Sequence, residues 1–90
     1  MKCVFVAETA FEKHKDRNCY PGHGGDVLGN DPYHISLSLD ACKDACASDK
    51  DCEGIVFEQK EEGPCYKRKN LQPSNCGIET GRYNLFVKRK

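Results

Sequence analysis

"SLSLDACKDACASDKDCEGIVFEQKEEGPCYKRKNL", residues Ser36 to Leu71, carries four of the chain's seven cysteines and its most regular patterning. Within it, Leu39 to about Ser48 reads as a helix: Ser38 is a good N-cap, Asp40 suits the first turn, and alanines fill the interior. The apolar face of that helix bears Cys42, Ala45 and Cys46. "GIVFEQ", Gly54 to Gln59, reads as a buried strand and "CYKRK", Cys65 to Lys69, as a second, with Lys60 to Pro64 connecting them as a hairpin.

Outward from this unit, "RYNLFVKRK", Arg82 to Lys90, reads as a third strand. "CVFVA", Cys3 to Ala7, reads as a short strand extending toward Phe11. Glu12 to Asn18 is polar and traces no helical face, and Asn18 to Tyr33 is turn-rich, with Val27 and Leu28 its only aliphatic anchors. In "YPGH" a proline presets the second turn position and a glycine tolerates positive φ at the third, the pattern of a type II turn. The expectation is one α+β domain over residues 1–90, a single helix packed on a small antiparallel sheet.

A chain of 90 residues buries too little apolar surface to stand on its core alone. Seven cysteines, 38% hydrophobic content and no tryptophan point to cross-links or metal as the supplement. Fourteen basic residues balance fourteen acidic ones, so no global field draws the domain to nucleic acid or an anionic membrane. No apolar run approaches the roughly 18 residues of a membrane span, and the apolar stretch at the start is too short for a signal peptide. If the cysteines pair, the chain belongs to an oxidising compartment and any signal was removed.

Seven cysteines with one left over allow about 105 connectivities. Cys42 and Cys46 share a helical face, but a regular helix does not bring their Cβ atoms to the roughly 3.8 Å a disulfide needs, so they take different partners. Cys46, at the last turn, closes comfortably on Cys52 after "ASDKD"; Cys42, one turn deeper, reaches the strand opened by Cys65.

The same stretch resembles the PAN/apple domain, whose core is a helix bearing C-x3-C, a cysteine leading into a strand of the C-x-G type, and a later strand opening with cysteine, an aromatic or aliphatic residue and a basic one. Here these are Cys42 and Cys46, Cys52 with Gly54, Val56 and Phe57, then Cys65, Tyr66 and Lys67. The resemblance covers roughly residues 11–88 and implies the nested pairing Cys42–Cys65 and Cys46–Cys52. "NCYPGHGGD", Asn18 to Asp26, with "NLQPSNC" later, is similar to a PAN-like subgroup carrying an NC-aromatic-x-GHGA segment, which implies a third bridge, Cys19–Cys76, and leaves Cys3 free. Plasma apple domains instead join a first and a last cysteine, and no cysteine follows Cys76 to receive Cys3; the alternative is Cys3–Cys76 with Cys19 free. The family implies a secreted or cell-surface recognition or adhesion module for protein or carbohydrate ligands, without catalysis or cofactor.

Catalytic and phosphate readings of the glycine loop fail on their partners. There is no G-x-x-x-x-G-K-(S/T), no helix begins beside Gly25, and no G-x-S-x-G elbow accompanies "HGG". A thiol nucleophile needs an activated cysteine beside a histidine in a cleft, which disulfide-spaced cysteines in so short a chain do not suggest. A small zinc-stabilised intracellular module is the rival class, since Cys19-x3-His23 and Cys42-x3-Cys46-x5-Cys52 offer ligands, although tight C-x2-C knuckles are absent. A purely structural spacer domain is a third reading.

Among the ligand-contact candidates, His23 is fixed between glycines close to Cys19, where a turn-stabilising role competes, and Asp26 can instead accept from loop amides. Tyr33 and Tyr66 can stack on a sugar face, or Tyr66 can cover the hydrophobic layer. Lys67, Arg68 and Lys69 with Lys88, Arg89 and Lys90 would form one patch for sulfated glycans or an acidic protein if their strands are neighbours; as strand-end charges they equally discourage edge pairing. The surface beside the helix and the glycine loop is the expected site.

Overall fold

The computed structural model describes residues 11–89; the expected strand Cys3–Ala7, the thiol of Cys3 and the terminal Lys90 lie outside them. In chain order the elements are β1 (Phe11–Lys15), β2 (Arg17–Asn18), β3 (Asp26–Val27), β4 (His34–Ser38), α1 (Leu39–Ala47), β5 (Gly54–Glu58), β6 (Glu62–Lys69), a 3-10 turn (Pro73–Asn75), β7 (Gly77–Ile78) and β8 (Tyr83–Lys88). The main sheet runs β1-β8-β5-β6-β3, with β4 also on β6, while β2 and β7 form a separate ribbon. Every pairing between these strands is antiparallel.

The helix forms where its signals placed it. The Ser38 hydroxyl accepts from the Ala41 N–H at 3.1 Å, taking up one of the donors that a helix start leaves unpaired. Its last turn holds no basic residue. The cation comes from the sheet instead: Lys88 Nζ donates to the carbonyls of Cys46 and Asp49, both at 3.0 Å.

Strand β5 is buried on both faces, which explains its unbroken apolar run. Ile55 and Phe57 meet Phe86, Phe11 and the helix-borne Cys42 and Cys46. Val56, pointing the other way, meets Leu85, Cys19 and Cys76, with Tyr66, Leu71, Tyr83 and Val87 around them. The helix covers one face and the Cys19–Cys76 strap the other.

Three expectations change. The polar segment Glu12–Asn18, which traces no helical face, is strand on either side of a turn at Asp16: β1 is an edge, buries only Phe11, and is held by backbone pairing from Phe11 opposite Lys88 to Lys15 opposite Asn84. The turn-rich region contains β3 and leads into β4, a strand of mostly exposed side chains that the amphipathic pattern could not signal. The hairpin connection shortens because β6 starts at Glu62 and takes in Gly63 and Pro64. Pro64 falls where the β4–β6 register shifts between His34 and Leu37, a position that tolerates a missing N–H.

Candidate functional site

Six cysteines form three disulfides. Cys42–Cys65 and Cys46–Cys52, with Cα–Cα distances of 5.5 and 5.2 Å, tie the helix to the sheet and to the loop that follows it. Cys19–Cys76, at 4.5 Å, closes the opposite face and removes the alternative in which Cys76 took Cys3 and Cys19 stayed free. Cys19, Cys42, Cys46 and Cys52, weighed above as zinc ligands, are therefore bound as disulfides. Among the described residues no group of three or more His, Cys, Asp or Glu side chains is placed to hold a metal ion.

From Cys19 the chain enters the expected turn, in which the His23 N–H donates to the Tyr20 carbonyl at 2.7 Å and Gly22 takes φ 83°. The rings of Tyr20 and His23 lie 4.5 Å apart, so the exposed His23 braces the turn. Gly24 then runs directly against Cys76, and its carbonyl accepts from the Gln72 N–H at 2.7 Å. Asp26 opens β3 opposite Lys69 and accepts from Asn70 Nδ2 at 2.9 Å. Around this junction lies a polar concavity of about 480 Å³, lined by Gly22, Gly24, Gly25, Asp26, Asn70, Gln72 and Asn75.

The basic residues form only part of the expected patch, because Lys67 and Arg68 are buried. Strands β6 and β8 flank β5 and are not neighbours. Lys67 and Arg68 are 7% and 4% exposed. Lys67 pairs with Asp49 at 2.9 Å, its ammonium 4.4 Å from the centre of the Tyr33 ring. Arg68 donates to the Cys19 carbonyl at 2.7 Å and to the Asp31 carboxylate at 2.8 Å, fastening the strap to the sheet. Lys69 stays partly exposed and joins Lys50, Lys88 and Arg89 around an open groove of about 900 Å³, whose apolar wall includes Leu28, Leu71 and Val87. Asp51 and Glu53 share that lining and offset part of its charge.

Tyr33 is 45% exposed and sits on the Lys67–Asp49 pair, away from the glycine loop. Tyr66 covers the strap-side core, edge-on to Tyr83 with centroids 6.5 Å apart, and burial raises its hydroxyl pKa above the usual value. The helix and the glycine loop lie on opposite faces, so the surface expected beside both is two surfaces. Of the candidates, Asp26 alone lines the polar concavity, with His23 between two of its glycines, and Lys69, Lys88 and Arg89 line the groove. Asn70, Gln72 and Asn75 escaped the sequence reading. Their signal was the spacing of "NLQPSNC" before Cys76, which the bridge to Cys19 carries onto the glycine loop.

Among the described residues no helix is long and apolar enough to cross a membrane. Comparison of the chain with family models, with curated proteins and with solved structures returned no match.

Proposed function

We propose that this chain is a PAN/apple-like recognition domain, displayed in a secreted or cell-surface protein, that binds a protein or carbohydrate ligand without catalysis or cofactor. The observation that carries this reading is the nested bridging of Cys42–Cys65 around Cys46–Cys52 on one helix, with Cys19–Cys76 closing the far face. Three structural disulfides in so small a domain suit an oxidising compartment. Sulfated glycans and acidic proteins suit the groove that holds Lys50, Lys69, Lys88 and Arg89.

The test has two parts. Intact mass after alkylation without reductant should show one modified thiol, that of Cys3; seven modified thiols in a zinc-bound protein would remove the reading. The oxidised domain should then retain ligands from a glycan array or a panel of extracellular proteins, and reduced, alkylated protein should lose them. Oxidised, folded protein that retains nothing in either panel would favour the structural spacer.

A further inference from the structure

We infer that the concavity between the glycine loop and the Asn70–Asn75 segment is a binding site for the hydroxyl groups of a neutral sugar, an inference that rests on the recognition-module reading above. Its lining excludes the other ligand classes one at a time. It contains no lysine or arginine, and its one carboxylate, Asp26, opposes an anion. A single carboxylate is too few for calcium or magnesium, which take six or more oxygen ligands and charge to match, and no histidine or cysteine lines it for zinc. No aromatic or aliphatic side chain lines it, so a protein partner finds none of the anchors that dominate protein interfaces.

What the lining does offer is a set of acceptor oxygens with one amide donor among them. Asn70 Nδ2 donates to Asp26 Oδ2 at 2.9 Å, and Asn75 Nδ2 donates to Gln72 Oε1 at 2.6 Å. Each bond fixes a side-chain plane and leaves the far atoms, Asp26 Oδ1, Asn70 Oδ1, Gln72 Nε2 and Asn75 Oδ1, to bond elsewhere. A hydroxyl donates and accepts at once, so adjacent hydroxyls on a sugar ring can donate to the three oxygens and accept from Gln72 Nε2.

The backbone beneath is held from three sides. Gln72 N–H bonds Gly24 O at 2.7 Å, Asn75 N–H bonds Gln72 O at 2.8 Å, and β3 pairs Asp26 with Lys69. Below them the Cys19–Cys76 bridge prevents the two segments from parting. Gly22 has open space where a side chain would stand, so a ring can approach its backbone, whereas Gly24 and Gly25 turn that side toward Cys76 and Cys19. Little ordering remains to oppose binding.

The test is a titration of the oxidised domain with galactose, glucose, mannose and N-acetylglucosamine, followed by backbone amide NMR. At least one sugar should shift the amides of Gly22, Gly24, Gly25, Asp26, Asn70 and Gln72 with affinity on the order of millimolar. Gln72→Ala and Asp26→Ala, at exposed positions, should each weaken it roughly tenfold while keeping the dispersed spectrum of the folded domain. Sugar-induced shifts confined to another surface would overturn this site and leave the recognition reading intact. So would a domain that ignores all four sugars yet binds a sulfated glycan or a protein. A folded domain that binds nothing in any panel would overturn both.

Discussion

A Cβ built on Gly24 would stand 2.6 Å from the Cys76 sulfur and 2.7 Å from the Gln72 carbonyl oxygen, so the glycine loop and the strap bridge share one tight contact. Gly24 also holds φ 84°, a conformation that side chains resist. Neither the bridge nor the Gln72 backbone can give way as a flexible side chain would. Gly24→Ala should cost about 2–3 kcal/mol, whereas Gly29→Ala, at φ 69° with open space around it, carries the backbone penalty alone. Urea denaturation of the two variants checks this, and equal losses would show that the contact with Cys76 contributes nothing.

The three disulfides should differ in worth according to the loops they close. Sequence separations of 57, 23 and 6 residues for Cys19–Cys76, Cys42–Cys65 and Cys46–Cys52 set the order. Chain-entropy reasoning gives about 4, 3.5 and 2 kcal/mol respectively. Paired cysteine-to-alanine variants measured by thermal melting should therefore fall in stability in that order. Because a small domain's net stability is on the order of 5–15 kcal/mol, loss of all three should unfold it.

That framework was the most legible part of the chain. Helix geometry separated Cys42 from Cys46 and sent them to Cys65 and Cys52, and the cap at Ser38 marked the helix start. The edges were not legible. Strand β1 earns its place through pairing with β8, which leaves no trace in a sequence such as "EKHK", and β4 exposes Ile35 at 78%. The basic run Lys67–Lys69 misled for a related reason. Alternation along β6 turns Lys67 toward Asp49 and Arg68 toward Asp31 on the opposite face, and no count of charges reveals which acid waits on each side. Asn70, Gln72 and Asn75 lie close together in sequence, but only the β3–β6 pairing and the Cys19–Cys76 bridge set them against the glycine loop, so the concavity they line belongs to the fold.

Lys67 also sets an asymmetric expectation for substitution. Its side chain is 8% exposed and that of Asp49 is 31% exposed, so the two ends of the pair differ in access to water. Lys67→Met keeps an unbranched side chain in the buried space and leaves a carboxylate that water can reach. Asp49→Ala leaves a buried ammonium with the Tyr33 ring as its remaining neighbour of opposite electrostatic sense. Asp49→Ala should therefore melt at the lower temperature of the two. The reverse order would show that the lysine tolerates burial without its acid.

Acid should weaken the fold through two carboxylates. Asp16 is held below the usual carboxylate value by the Gly81 N–H, at 2.9 Å, and then by Gln59 Nε2, at 2.7 Å. Asp49 is lowered first by its bond to Lys67 and next by the Asp51 N–H, at 3.0 Å. Both groups bind protons more readily in the unfolded chain than in the folded one. Their contribution is thus complete above the ordinary carboxylate range, which centres on about 4, and disappears as pH falls through the lower folded values. Melting temperature measured from pH 7 down to pH 2 should decline below about pH 4. Asp16→Asn and Asp49→Asn should each start lower at neutral pH and converge on the parent protein in acid, because protonation removes from the parent what the amide has already removed. A constant gap between parent and variant across that range would mean that the charge of these two groups does not couple to folding.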